Sequence, residues 1–277
     1  MKKSLFLILV LILILSLTLT VGLSPPGSAQ ERLKVSSTTS TDNTGLFQAL
    51  NPPFESRFGC RVDVIAVGTG KALKIGEMGD CDVVFVHSRP AENAFMDAGH
   101  GVNRRDVMYN DFIIIGPTND PAGIQGTRDA KKALAAIAKA GAHFISRGDD
   151  SGTHKKEKSL WKKSGIVPKG RWYLEAGQGM GAVIHIANEK SAYALADRGT
   201  YLAYRKKVSL EILCEGDPDL FNPYGIIAIN PAKHPGLNYV LAMAYIGWVT
   251  SPDGQKIIRE FGKEKFGQAL FKPAAIP

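Results

Sequence analysis

A nine-residue segment near the middle of the chain, SRGDDSGTH at residues 146–154, combines side chains that can bind an anion or carry out a reaction. Arg147 offers a planar fork of N–H donors for an oxyanion, and Ser151 and Thr153 add hydroxyl donors. The two glycines of the segment let the backbone come close to a ligand. The residue types therefore predict one wall of an oxyanion-binding site.

Two aspartates in the same segment leave the class of oxyanion open. A fully ionised oxyanion needs only donors, whereas a protonated phosphate gains from an acceptor such as a carboxylate. Asp150 is placed to cap a helix that begins near Gly152, or to hold Arg147 in position. An Asp149 or Asp150 that faced the site would instead favour phosphate.

A catalytic interpretation uses some of the same residues. Ser151 could act as a nucleophile with His154 as its base, oriented by Asp149 or Asp150. However, neighbours on one turn seldom align all three groups, and the chain has no G-x-S-x-G motif. An exported serine hydrolase is therefore the less favoured alternative.

Three further segments rich in hydroxyls or glycine also follow strand-like runs. They are SSTTSTDNTG at 36–45, VGTGKA at 67–72 and AGQGMGA at 176–182. Ligands bind outside the carboxyl ends of strands in open parallel sheets, where helix N-termini present bare N–H groups. We therefore expect all four segments to converge on one cleft.

Two nucleotide-binding interpretations are weaker. The GTGK run lacks the Walker spacing, because position 65 is Ile and position 72 is Ala. The run GQGMGA fits G-x-G-x-x-A, with Asp197 about twenty residues further on. A dinucleotide site would leave the other three segments unexplained.

Strand-like and helix-like patterns alternate along the chain, which predicts an α/β fold with mainly parallel sheets flanked by helices. Two strands bounded by turn residues, at 110–117 and 222–231, bracket the middle of the chain. We therefore predict two lobes joined by two crossover hinge strands. Lobe one comprises residues 30–115 plus 230–277, and lobe two comprises residues 116–229.

The amino terminus has the pattern of an export signal. Lys2 and Lys3 precede an apolar run at 4–23, and the small-residue sequence PPGSAQ follows. We predict that residues 1–29 are a signal peptide, which is favoured over a membrane anchor. The protein is then periplasmic or extracytoplasmic.

Charge and cysteine usage limit the other classes of function. The net charge of +8 comes from scattered basic residues without interleaved aromatics, so no nucleic-acid partner is expected. No spacing of Cys and His supports a metal site. Cys60 and Cys81 both precede strand-like runs, so in an oxidising compartment they either form a disulfide or remain buried thiols.

Long strings of the sequence resemble one family, the tungstate-binding extracytoplasmic proteins of ABC transporters, which have the type II periplasmic binding protein fold. They include STTST, VIAVGTGKAL, GDCDVVFVH, GVNRRDVMYNDFIIIGP, FISRGDDSGTH, YLEAGQGMG and NPYGIIAINP, within residues 33–275. The resemblance implies high-affinity capture of tungstate or molybdate for delivery to a membrane permease and ATPase. It also implies a monomer with no enzymatic activity and no cofactor; a phosphate- or sulfate-binding protein is the alternative.

The resemblance further implies which residues contact the oxyanion. Two departures stand out, because the leading run is Ser-Ser-Thr-Thr and because Cys60 and Cys81 replace small or aliphatic residues. The first departure leaves the assignment among residues 37–40 open by one position. The implied ligand contacts are Thr38, Thr39, Ser40, Gly68, Thr69, Gly70, Arg147, Ser151, Thr153, Gly179 and Met180.

Overall fold

Residues 30–275 are described by a computed structural model of the chain. The predicted signal peptide at 1–29 lies outside these residues. No helix within the described range is both long and apolar enough to cross a membrane.

Ten strands form the sheets of residues 30–275. They are β1 Glu31–Thr38, β2 Cys60–Val67, β3 Val83–Val86, β4 Gly101–Gly116, β5 Phe144–Ser146, β6 Tyr173–Glu175, β7 Ala194–Asp197, β8 Glu211–Cys214, β9 Phe221–Ile229 and β10 Lys272–Pro273. The main sheet has the order β10-β4-β9-β3-β1-β2, with β7 and β8 pairing with the far end of β4. Strands β5 and β6 pair separately.

The helices alternate with these strands, as the sequence predicts. They are α1 Thr39–Asn43, α2 Leu46–Phe58, α3 Thr69–Met78, α4 Arg89–Asp97, α5 Ala130–Ala140, α6 Gly152–Lys163, α7 Met180–Glu189, α8 Arg198–Tyr204, α9 Tyr239–Thr250, α10 Pro252–Glu260 and α11 Lys263–Phe266. Short 3-10 turns follow at Arg205–Lys207 and Pro218–Leu220. A single residue, Ser251, separates the last two long helices, and it ends α9 and caps α10.

The two crossover strands are confirmed as β4 and β9. They pair antiparallel along most of β9, and Asn110 of β4 lies opposite Asn222 of β9. Beyond this point β4 continues through Ile113–Ile115, which is fully buried, and pairs with β7 and β8. A single long strand thus extends from one group of strands into the other.

Strand directions are more mixed than a mainly parallel sheet. Pairs β1–β3 and β5–β6 are parallel, whereas β4 and β9 run antiparallel to each other and β9 runs antiparallel to β3. The reason is that a chain leaving one lobe and returning to it must run in opposite senses in its two crossovers. The predicted lobe boundaries stay a prediction, and residues Gly225–Ala228, assigned there to lobe two, pair with β3.

Helices α2 and α9 pack beside the main sheet through large apolar side chains. The rings of Phe54 and Tyr245 meet edge to face, with centroids 5.0 Å apart. Trp248 is mostly buried and donates its indole N–H to the carbonyl oxygen of Leu50 at 2.9 Å. Each fully buried large side chain stabilises the fold by roughly 1.5–3 kcal/mol.

The structure contradicts a disulfide between Cys60 and Cys81. Both carry buried thiols, and Cys60 begins β2 while Cys81 lies just before β3. Strand β1 lies between β2 and β3 in the sheet. Neighbouring strands lie about 4.8 Å apart, so β2 and β3 are two such spacings from each other. A disulfide needs Cα atoms within about 7 Å, and the two cysteines lie further apart than that.

A buried carboxyl in α6 makes the stability of this region depend on pH. Glu157 is 1% exposed, and its Oε1 accepts hydrogen bonds from Trp161 Nε1 at 3.1 Å and from the Tyr173 hydroxyl at 2.7 Å. Burial raises the pKa of Glu157 to about 7. Below about pH 7 the folded protein therefore holds Glu157 mainly in its protonated form.

The wild type is expected to lose stability as pH rises, and we expect Glu157→Gln to abolish this pH dependence. Because the pKa of Glu157 is raised on folding, its contribution is complete below about pH 4.5 and is lost as pH rises to about 7. The free energy of unfolding should fall by on the order of a few kcal/mol over this window. Urea unfolding of both proteins at pH 5 and pH 8 measures the difference, and equal pH dependences would contradict the prediction.

Candidate functional site

All four predicted segments lie where a strand hands over to a helix. Each supplies the residue that caps a helix N-terminus with an extended backbone: Thr38 for α1, Gly68 for α3, Ser151 for α6 and Gly179 for α7. The first N–H groups of a helix have no partner within the helix, so four such ends present donors.

The structure brings these segments together in two pairs. Thr69 Oγ1 accepts a hydrogen bond from the backbone N–H of Gly152 at 3.0 Å, which joins the second segment to the third. A Cβ placed on Gly179 would lie 3.6 Å from Thr39 Oγ1, which brings the fourth segment beside the first. Each contact joins two of the four segments, and the convergence of all four on one cleft stays a prediction.

Arg147 is held in place by Asp149. Its guanidinium is only 3% exposed, and Nη2 donates to Asp149 Oδ2 at 2.5 Å. The other carboxylate oxygen, Oδ1, accepts from the backbone N–H of Ser151 at 3.2 Å. Both oxygens of Asp149 are therefore engaged by donors of its own segment.

Asp150 neither caps the helix that begins at Gly152 nor holds Arg147 in position, although the sequence predicts one of these roles. The carboxylate is 69% exposed and lies 3.3 Å from Lys155 Nζ. The helix cap is Ser151, whose Oγ accepts from the backbone N–H of His154 at 3.2 Å. The physical reason is a φ of 55° at Asp150, a left-handed conformation that turns its side chain away from the start of α6.

The same contacts argue against a Ser–His pair. Ser151 Oγ meets the backbone N–H of His154 and not its ring, and the ring Nδ1 accepts from the backbone N–H of Asp150 at 3.1 Å. Burial lowers the pKa of His154. The imidazole is thus turned to its own loop, and the arrangement that a nucleophile and base require is not formed.

Three buried donors of the site have no hydrogen-bond partner among the atoms of residues 30–275. They are Thr39 Oγ1, Thr153 Oγ1 and Arg147 Nε. Leaving a buried polar group unsatisfied costs about 1–3 kcal/mol, so such groups are rare unless a ligand completes them. All three can donate to oxygen, and all three belong to residues predicted to contact the anion.

The remaining predicted contacts offer mainly backbone donors. The side chains of Ser40 and Met180 are fully buried, and Ser40 Oγ lies 3.1 Å from His87 Nε2. Thr38 Oγ1 accepts from the backbone N–H of Thr41 at 3.3 Å and so caps α1. Gly70 lies beside the third segment, since a Cβ placed on it would be 3.1 Å from Asp150 Oδ2.

Sequence reasoning missed a buried polar group next to these loops, formed by His87, Asn110 and Asn222. His87 follows the carboxyl end of β3, which lies between β1 and β9, so the rule used for the other loops points to it as well. A cavity of about 840 Å³ opens beside His87 and Gly152.

Asp197 supplies a second carboxyl near Arg147, besides that of Asp149. It is fully buried and caps α8 by accepting from the backbone N–H of Thr200 at 2.8 Å, while its Oδ1 has no partner within the described chain. Burial raises the pKa of Asp197, and the charge of Arg147 opposes that shift. No group of three or more His, Cys, Asp and Glu residues in the described range could hold a metal ion.

Comparison with known proteins gives consistent similarities. A family model described as "PBP superfamily domain" matches residues 24–253. The chain is 46% identical over 259 residues to the tungstate-binding protein TupA of Peptoclostridium acidaminophilum, which covers 91% of each chain. It is 49% identical over 227 residues to TupA of Campylobacter jejuni, which covers 80% of this chain and 84% of that relative.

A solved structure shares the fold over nearly all of its length. The crystal structure of the tungstate ABC transporter from Geobacter sulfurreducens is 59% identical and superposes with a TM-score of 0.78. The match covers 83% of this chain and 99% of that one.

Proposed function

We propose that this chain, which belongs to the family of the TupA tungstate-binding proteins within the PBP superfamily, binds tungstate for an ABC transporter. It captures the anion outside the cytoplasm and passes it to the permease and ATPase subunits. The protein acts as a monomer, without a cofactor and without chemical change to the ligand. The names of its relatives support transport as the role.

The observation that carries the proposal is the set of unpartnered donors. Thr39 Oγ1, Thr153 Oγ1 and Arg147 Nε are buried, and each lacks only an acceptor. A tetrahedral dianion supplies acceptor oxygens in several directions at once. Binding it offsets the cost of burying these groups, which gives a physical reason for a polar site inside the fold.

The carboxylates favour an anion that carries no proton. Asp149 is engaged by Arg147 and Ser151, and Asp150 is exposed beside Lys155. Asp149 is therefore occupied by donors of its own segment, and Asp150 is largely exposed to solvent, so neither favours a protonated phosphate. Asp197 Oδ1 is the remaining acceptor, so phosphate stays the competitor against which selectivity is measured.

Closure around the anion would use the two crossover strands. In this proposal the strands β4 and β9 act as the hinge, and the helix ends of the two lobes close over the ligand. The hydrogen bond from Gly152 to Thr69 joins a segment of each predicted lobe. It is the contact that closure would preserve.

Calorimetric titration with tungstate, molybdate, sulfate and phosphate tests the proposal. The expected result is tight binding of tungstate and weaker binding of sulfate and phosphate. A preference for phosphate, or no heat with any of the four anions, would exclude a tungstate receptor.

We expect Ser151→Ala to weaken tungstate binding only moderately. The substitution removes the cap of α6 and one hydroxyl, which costs about 1 kcal/mol of helix stability. Affinity and thermal unfolding are measured together, with Ser209→Ala on the surface as the control. Loss of a hydrolytic turnover in the variant would instead indicate an enzyme.

A further inference from the structure

His87 lies at the centre of a buried hydrogen-bonded chain that links a crossover strand to the first ligand loop. Its Nδ1 lies 3.0 Å from Asn222 Oδ1, and its Nε2 lies 3.1 Å from Ser40 Oγ. The ring is 4% exposed and stacks on Tyr224 with centroids 4.7 Å apart. Because β9 carries Asn222 and α1 carries Ser40, the ring connects crossover strand β9 to helix α1.

The partners of Asn222 determine where the protons of this chain lie. Its amide Nδ2 donates to Asn110 Oδ1 at 2.7 Å and approaches the Tyr224 hydroxyl at 3.3 Å. The side-chain oxygen of Asn222 is therefore the atom that faces His87, and an amide oxygen can only accept. His87 Nδ1 must then carry a hydrogen.

The opposite ring nitrogen must be an acceptor. Burial, together with the positive charge of Arg147, lowers the pKa of His87 to about 4, so the ring is neutral near pH 7. A neutral imidazole with hydrogen on Nδ1 has a lone pair on Nε2. The hydroxyl of Ser40 therefore donates to His87, and its hydrogen is directed away from the anion.

We propose that His87 is a positioning residue that couples crossover strand β9 to helix α1. Asn222 holds the ring in the tautomer with hydrogen on Nδ1, so Nε2 accepts a hydrogen bond from the hydroxyl of Ser40. This inference rests on the proposed function. It assigns Ser40 a structural hydroxyl, so that its backbone N–H is what remains for the anion. Movement of the paired asparagines at the hinge is then transmitted to α1.

A double-mutant cycle on tungstate affinity tests the coupling. His87→Asn keeps a donor near Asn222 but is too short to reach Ser40, and Ser40→Ala removes the same link from the other side. Each is expected to weaken binding about tenfold, and the double variant should be no weaker than either single variant. His87→Gln, whose amide oxygen can reach Ser40, should stay within about threefold of the wild type.

Three results would overturn the proposal. The double variant could lose the product of the two single effects, His87→Asn could bind as tightly as the exposed control His143→Asn, or His87→Gln could be as weak as His87→Asn. The first would mean that Ser40 and His87 act independently, with the Ser40 hydroxyl contacting the anion directly. Melting curves of each variant show that the loss is not one of folding.

Nitrogen chemical shifts of the imidazole give a test that needs no ligand. A long-range ¹⁵N–¹H spectrum near pH 7 should show hydrogen on Nδ1 of His87, and Ser40→Ala should shift the Nε2 resonance. Hydrogen on Nε2 would overturn the proposal whatever the affinities are. If the wild type binds no oxyanion, the proposed function fails, while the spectrum still decides the tautomer.

Discussion

Replacing Arg147 with Gln is expected to weaken tungstate binding by at least about tenfold, or roughly 1.5–3 kcal/mol for a charged hydrogen bond. Arg147 is a buried guanidinium whose Nη2 is engaged by Asp149, while its Nε has no partner in the described structure. An anion that accepts hydrogen bonds from this guanidinium is attracted by its positive charge and is oriented by its planar arrangement of donors. A glutamine amide keeps a donor but provides neither the charge nor the fork.

Calorimetry on Arg147→Gln and Arg147→Lys separates these two contributions. The lysine variant keeps the charge without the planar fork, so its affinity should fall between those of the wild type and the glutamine variant. Arg171→Gln, an exposed arginine, is the matched control. Unchanged affinity in Arg147→Gln, with folding confirmed by its melting curve, would remove Arg147 from the site.

The order of the strands is the part of the fold that the sequence could not supply. Alternating strand and helix patterns predict the α/β class, and the turn residues around the two long strands locate the crossovers. Neither pattern says which strands are neighbours. Cys60 and Cys81 therefore looked close along parallel strand ends, yet β1 separates them in the folded sheet.

The site shows the same division between local and tertiary information. Hydroxyl- and glycine-rich runs locate four loops, because those residue types cap helices and let a backbone approach a ligand. The exposed position of the Asp150 carboxylate depends on the left-handed backbone of that residue, which composition does not reveal. His87 lies in the run HSRP, where nothing local marks a binding loop, and only the position of β3 in the sheet brings it to the site.

Replacing Thr153 with Val is expected to change affinity and stability in opposite directions. Thr153 is fully buried, and its hydroxyl has no partner among the described atoms. Valine has the same shape without the polar group, so the ligand-free protein should gain about 1 kcal/mol and melt about 2–4 °C higher. Tungstate affinity should fall about tenfold, because a donor to the anion is lost.

Thr44→Val is the matched control, because Thr44 is also buried but its hydroxyl is satisfied by the carbonyl oxygen of Thr41 at 2.7 Å. That variant should lower the melting temperature, since it breaks an existing hydrogen bond and leaves a buried carbonyl with one partner fewer. In ligand-free melting curves, a higher melting temperature for Thr153→Val and a lower one for Thr44→Val would distinguish the two hydroxyls. The first would be a group that is unpaired until ligand binds, and the second a group that stabilises the fold. If Thr153→Val destabilises the free protein and leaves tungstate affinity unchanged, Thr153 is structural, and the anion is bound by the other donors of the four loops.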